Sequence, residues 1–319
     1  MEYGFGIPTG GSLSEVAALS EVVARGEQVG FDFIGVSDHI VIPNHIESRY
    51  PYNETGTFGG ANAGECLEQL TLVAFLSAIT TKIRLLTSVM VLPYRNPVHT
   101  AKTLATIDVL SGGRLIAGFG AGWMREEFEA LGAPPYSKRG KVSDEFIEAF
   151  RELWTSESPI FRGEYVSFSG VKFRPQPVQK PYPPIWIGGE SPAALRRAGR
   201  VADAWYPIGN NPRFPMTNVT QLKEGMGTVR KHAELAGRDP MDVELSYSAG
   251  WYSDTGPELL PDGQRRLLTG NPAQVASDIA DLRQLGVRHL MIGIAGSSAN
   301  EIISGIERFA TEVRPLVGP

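Results

Sequence analysis

The sequence predicts an α/β fold, a single (β/α)8 TIM barrel with inserted loops. Short apolar runs rich in β-formers alternate with amphipathic stretches from end to end, and there are eight of each. The 319 residues suit one such barrel. The apolar runs are continuous rather than alternating, as parallel strands buried on both faces require. A doubly wound open sheet is the alternative.

Strands are expected at about 3–7, 32–37, 84–91, 114–119, 185–188, 203–206, 243–249 and 288–294. Helices are expected at about 13–28, 67–79, 97–110, 137–155, 191–200, 219–236, 272–285 and 299–315, where apolar residues recur at spacings of three and four. Pro97 opens one helix, and Asn271-Pro272 places a cap and a proline at the start of another. Two interruptions stand out: a Gly/Asn/Pro/Tyr-rich loop at 40–66, and a stretch at 160–184 containing FRGEYVSFSGVKFRPQPV that reads as a small β excursion. Loops of this length in a compact domain are often lids or binding loops. No linker divides the chain, so one domain over 1–319 with insertions at 40–66 and 160–184 is expected.

Lys and Arg together number 30 against 35 Asp and Glu, for a net charge of −5. That balance argues against nucleic acid and anionic membrane as partners and leaves a small-molecule substrate. The single cysteine, Cys66, cannot form an internal disulfide, and MEYGFGIPTGG has neither the charge nor the apolar run of a signal peptide. No apolar run approaches the ~18 residues of a membrane span. A soluble, cytoplasmic protein is the expectation.

The stretch GFDFIGVSDHI, residues 30–40, runs as a buried strand into Asp38 and His39. In a barrel the active site is built at the carboxyl ends of the strands, and an imidazole beside a carboxylate suits general acid/base work. The plainer reading makes Asp38 a loop cap and His39 a polar surface residue. His45 falls in the loop and His99 in a helix, while His232 and His289 read as surface or strand-start residues. No pair of them has metal-ligand spacing, so no metal site is expected.

In IGGESPAAL, Gly188 and Gly189 end a strand and Ser191-Pro192 begins a helix. Backbone amides there can approach a phosphate, with the helix dipole behind them. A plain glycine turn capped by Ser191 is the equal alternative. Arg196 or Arg197 can add positive charge. AGFGAGW, residues 117–123, gives G-x-G-x-G rather than the dinucleotide fingerprint G-x-G-x-x-G. Trp123 either lines a cavity or packs beneath the loop.

Together with IRLLTSVMVLPYRNPVHTAKTLATIDVLSGGRLIAGFGAGW, PPIWIGGESPAALRRAGRVADAWYP and NPAQVASDIADLRQLGVRHLMIGI, these motifs span nearly the whole chain. In this the sequence resembles the luciferase-like monooxygenase superfamily, and within it the branch using the deazaflavin coenzyme F420. The resemblance implies a non-prolyl cis peptide at Ser88–Val89 beneath the cofactor ring. It implies cofactor phosphate at Gly188, Gly189 and Ser191, and close backbone approach at Gly120 and Ala121, with Gly122 leaving further room. His39 would then exchange a proton with substrate while Asp38 holds its ring and contacts the cofactor. The activity implied is hydride transfer between reduced F420 and a carbonyl, an imine or an activated alkene. An FMNH2-dependent monooxygenase on the same barrel is the first alternative, and a non-catalytic flavin-binding protein the second. Many relatives are dimers, which makes a homodimer one possible assembly. The substrate pocket is expected between 40–66, 160–184 and 207–218.

Overall fold

The computed structural model describes residues 1–59, 64–260 and 263–318. Positions 60–63 of the expected 40–66 insertion, and 261, 262 and 319 of the expected domain, lie outside the described residues. Eight parallel strands close on themselves: β1 (Glu2–Ile7), β2 (Phe33–Val36), β3 (Arg84–Thr87), β4 (Leu115–Gly120), β5 (Ile185–Gly188), β6 (Ala204–Tyr206), β7 (Glu244–Ala249) and β8 (Val287–Ile292). The β3–β4 seam is held by Leu85↔Leu115 and Leu86↔Ile116, and β8 returns to β1 through pairs that begin at Glu2↔His289. The architecture is therefore a (β/α)8 barrel, with no edge strand left open.

Among the described residues the helices are α1 (Val16–Gln28), α2 (Gln69–Ile79), α3 (Pro97–Leu110), α4 (Arg125–Ala130), α5 (Arg139–Thr155), α6 (Pro192–Val201), α7 (Val219–Leu235), α8 (Pro272–Leu285) and α9 (Ala299–Arg308). Their starts follow local chemistry. Asn96 accepts from the His99 N–H at 3.1 Å with Pro97 in the first turn, and Asn271 and Gln274 form a reciprocal capping box ahead of α8. Gly286, at φ +102°, ends α8 in the left-handed region where a side chain would be strained.

Four differences from the expected elements bear on the site. The third strand, expected as continuous over 84–91, breaks after Thr87 and resumes as Met90–Val91, still paired with β4; the intervening Ser88–Val89 bond is cis. The six-residue α4 was not expected, because a helix this short carries too little periodicity to register. The excursion at 160–184 contains only a two-residue ribbon, Phe161–Arg162 against Ser167–Phe168. The final helix leaves α geometry after Arg308, widening over Phe309–Val313 and tightening over Arg314–Val317.

The barrel interior changes character along its axis. At mid-height Phe33, Leu86, Ile116, Trp186, Ala204 and Tyr206 fill it with large side chains. Phe33 meets Trp186 edge-on at 5.7 Å. Deeper in, His289 lies against Trp186 at 4.6 Å and bonds Ser246 at 3.0 Å. The sequence reading of His289 as a surface or strand-start residue is corrected here: its position on the inward face of β8 buries it. Burial, aided by Arg84 and Arg288, pushes its imidazole down to about 3. Toward the carboxyl ends the same inward faces continue, by the twofold alternation of strands, as Gly6, Gly35, Ser88, Gly120, Gly188, Ser248 and Met291, whose sulfur lies 3.1 Å from the Tyr206 hydroxyl. A methyl group on Gly6 would meet nothing within 4 Å. The mouth of the barrel is left roomy where its waist is full.

The waist sets a test of the packing. A methyl on Gly4 would lie 2.3 Å from the fully buried Phe33 ring. Gly4→Ala should lower the unfolding free energy by about 1–3 kcal/mol, read from urea denaturation. An unchanged midpoint would mean that the waist is not tightly packed.

Candidate active site

His39 leaves the carboxyl end of β2 and projects into the mouth with its side chain 17 % exposed. Its Nδ1 lies 2.8 Å from Oε2 of Glu127, a side chain with no exposure. The same carboxylate accepts from the Ile40 N–H at 2.7 Å, the Val41 N–H at 3.2 Å and the Tyr94 hydroxyl at 2.9 Å. Burial alone would raise the Glu127 carboxyl, but these donors, His39 foremost, outweigh it and hold the group below its ordinary value. With Nδ1–H facing the carboxylate, Nε2 of a neutral His39 carries the free lone pair.

Asp38 does something else. Both of its oxygens accept from Arg95 at 2.7 Å, and Oδ2 also takes the Val91 N–H at 2.8 Å. Arg95 reaches on to Glu68 at 2.7 Å. The expectation that Asp38 orients the His39 ring is therefore corrected: adjacent side chains on extended backbone point to opposite sides, so Asp38 turns toward the third strand while His39 turns toward α4. The lock holds Asp38 toward the third strand and leaves one lone pair of Oδ1 uncommitted.

Below His39 the Ser88–Val89 segment forms the floor. The Ser88 hydroxyl lies 3.0 Å from that of Tyr206, whose pKa burial pushes up to about 12. Val89 lies across β4 and β5: a methyl on Gly120 would come within 2.6 Å of it and one on Gly188 within 3.0 Å. A side chain at Gly120 would force Val89 to shift, and one at Gly188 would crowd it. Ala121 follows Gly120, half-buried, at the lip.

At the far side of the mouth, Gly188 ends β5, Gly189 takes φ +104°, and Ser191 caps α6 by accepting from the Ala194 N–H at 3.3 Å. The cap leaves the Ser191 hydroxyl proton free to donate, so capping and phosphate contact are compatible. The arginines suggested as added charge are placed otherwise. Arg197 is held by Asp144 at 2.5 Å and the Gly140 carbonyl at 2.7 Å, and Arg196 is exposed on the outer face of α6.

The loop after β2 folds over the mouth. Phe58 approaches His39 at 4.9 Å and Trp123 at 5.4 Å, and Tyr50 packs on Trp123 at 5.2 Å. Trp123 thus packs beneath the loop and beside His39. Glu126 accepts from the Glu47 and Ser48 N–H groups at 2.8 and 2.9 Å, pinning the loop to α4. Sequence reasoning missed Glu126, Glu127, Tyr94 and Arg95. The acidic pair in MREEFEALG, at the start of a short helix one turn after AGFGAGW, was the available signal. Among the described residues no group of three or more His, Cys, Asp or Glu could hold a metal, and no helix is long and apolar enough to cross a membrane.

The residues suit a flat tricyclic cofactor with a phosphate-bearing tail. The floor is mostly glycine and serine, with Val89 and Met291 set into it, and a glycine turn at a helix start lies at the rim. Comparison with known proteins agrees in kind. The profile of a family described as luciferase-like monooxygenase matches residues 1–260. An uncharacterized protein of Mycobacterium tuberculosis is 32 % identical over 245 residues, covering 76 % of this chain and 81 % of its own. The FMNH2-dependent dimethylsulfone monooxygenase of Pseudomonas putida is 28 % identical over 310 residues, covering 84 % of each. The coenzyme F420-dependent tetrahydromethanopterin reductase of Methanopyrus kandleri superposes with a TM-score of 0.75 at 17 % identity, over 98 % of both chains.

The Glu127 cluster predicts an acid-sensitive fold. A carboxyl held low contributes stability above its unfolded pKa, near 4.5, and loses that contribution as pH falls through its folded value. As pH falls below about 4.5 the wild type should therefore lose stability more steeply than Glu127→Gln. At neutral pH, Glu127→Ala should cost about 1–3 kcal/mol and speed amide exchange at Ile40 and Val41. Equal exchange in both proteins would remove Glu127 as the anchor of this loop.

Proposed function

The chain belongs to the luciferase-like monooxygenase family, and from that premise we propose that it is an F420-dependent oxidoreductase acting on a small organic substrate. Bound deazaflavin supplies two-electron hydride chemistry at one ring carbon. The chain's own residues supply the seat, the orientation and the proton. Ser88, Val89 and the backbone at Gly120 and Ala121 form the seat, and the amides of Gly188 and Gly189 with the Ser191 hydroxyl hold the phosphate.

The observation that carries this reading is the His39–Glu127 pair above a floor of mostly small residues. Reduction of a carbonyl leaves an oxygen that needs a proton, and Nε2 of protonated His39 can provide it. Oxidation of the alcohol returns that proton to Nε2. Glu127 stabilises the imidazolium and fixes which nitrogen faces the substrate. The aromatic side chains of Tyr50, Phe58 and Trp123 shield the mouth from water and suit an amphipathic organic molecule.

A second reading, an FMNH2-dependent monooxygenase, is favoured by the Pseudomonas putida relative. Mass spectrometry of the cofactor retained on purification, followed by O2 consumption with reduced FMN, separates the two. Retained F420 without O2 consumption supports the proposal, and turnover of O2 with reduced FMN sinks it.

His39→Asn removes the proton carrier and leaves the phosphate turn intact. Turnover should fall by about 10²–10⁴-fold with cofactor affinity little changed. Unchanged turnover on an identified substrate would end the assignment. Gly189→Val, which forces a β-branched side chain into φ +104°, should instead weaken cofactor binding with His39 in place.

A further inference from the structure

We propose that Glu190 makes the phosphate turn selective for a singly charged phosphodiester over a doubly charged phosphomonoester, an inference that rests on the turn being the cofactor phosphate site. Glu190 lies between Gly189 and Ser191, so its carboxylate belongs to the turn itself, yet it is only 3 % exposed. It accepts from the Ile208 N–H at 2.7 Å and from Nδ2 of Asn211 at 3.0 Å. Both partners are neutral. Among the described residues no lysine or arginine pairs with it, and the two arginines of α6 nearest in sequence are engaged with Asp144 or exposed.

The other titratable groups that face it are Tyr52 from the loop after β2 and Tyr247 from β7. Burial holds both phenols protonated, so neither offsets its charge. The turn is rigid around it: the Trp205 indole donates to the Gly189 carbonyl at 2.9 Å. Burial pushes the Glu190 carboxyl up to about 7, so it is neutral or charged according to what lies beside it.

A phosphate on the amides of this turn would lie within one or two residues, along the chain, of the Glu190 carboxyl, close enough for its charge to be felt through the buried surroundings. A phosphodiester such as that of F420 brings one negative charge. A phosphomonoester such as that of FMN brings nearly two at pH 8, its second ionisation lying near 6. Repulsion with a carboxylate in the same turn is doubled for the monoester, so Glu190 must take up a proton, at a cost in affinity, as the monoester binds.

The test is fluorescence titration of the apoprotein with F420 and with FMN at pH 8, in wild type and Glu190→Gln. The wild type should prefer F420. Glu190→Gln should gain about tenfold in FMN affinity with F420 affinity little changed. A gain is not what a damaged turn produces. Asn211 is fixed by the Arg213 and Phe214 N–H groups at 3.0 and 3.3 Å, so the glutamine can strain the turn. A wild-type measurement therefore stands beside it: calorimetry of FMN binding in two buffers of different ionisation enthalpy should show proton uptake of up to about one, and riboflavin, which lacks the phosphate, none. Zero uptake with FMN, or an F420-to-FMN preference unmoved by Glu190→Gln, overturns the inference and leaves the cofactor reading standing. Failure of both proteins to bind either cofactor overturns both.

Discussion

One buried carboxylate holds the His39 side of the barrel mouth together. Glu127 gathers donors from His39, Ile40, Val41 and Tyr94, and so joins the end of β2, the start of its long loop and the turn after the third strand to the short helix α4. A charge with no exposure is tolerated only when its lone pairs are satisfied, and here the donors come from two segments, residues 39–41 and Tyr94. The loop's direction, the imidazole's orientation and the placement of α4 thus depend on one another. Asp38 repeats the device on the opposite side: with Arg95 and Glu68 it fixes the far half of the third strand through the Val91 N–H.

The second constraint is steric. The waist of the barrel is filled by Phe33, Trp186 and their neighbours, which makes a firm base, and the layer above is mostly glycine and serine, with Met291 and Val89 set into it. Val89 lies across β4 and β5 where Gly120 and Gly188 carry no side chains. The space a TIM barrel normally fills with branched residues is kept here for a ligand, and the cost in packing is borne where function needs the room.

Charge is distributed around that space with a purpose for each group. His39 has a carboxylate behind it and an open nitrogen in front, which is what the proposed proton transfer needs. The turn proposed to take phosphate has amides in front and Glu190 within it. The two carboxylates differ because Glu127 has a cation-forming partner and Glu190 has only neutral donors.

The strands and all eight of the longer helices were legible in the chain because their determinants are local: apolar periodicity, Asn96-Pro97 and Asn271-Pro272 at helix starts, and glycine at strand ends. His39 was legible for the same reason, as the residue that finishes an apolar run in a barrel. Its partner was not. Asp38 is next to it in sequence, but extended backbone sends neighbouring side chains apart, and the carboxylate that meets the imidazole is 88 positions away on a helix too short to announce itself. By itself the sequence determined the barrel, the strand ends and the glycines that leave the mouth open. Only tertiary structure decided which carboxylate serves His39, which arginine holds Asp38, and that Glu190 turns inward. Those pairings depend on distance through space between segments whose sequence separation carries no information about it.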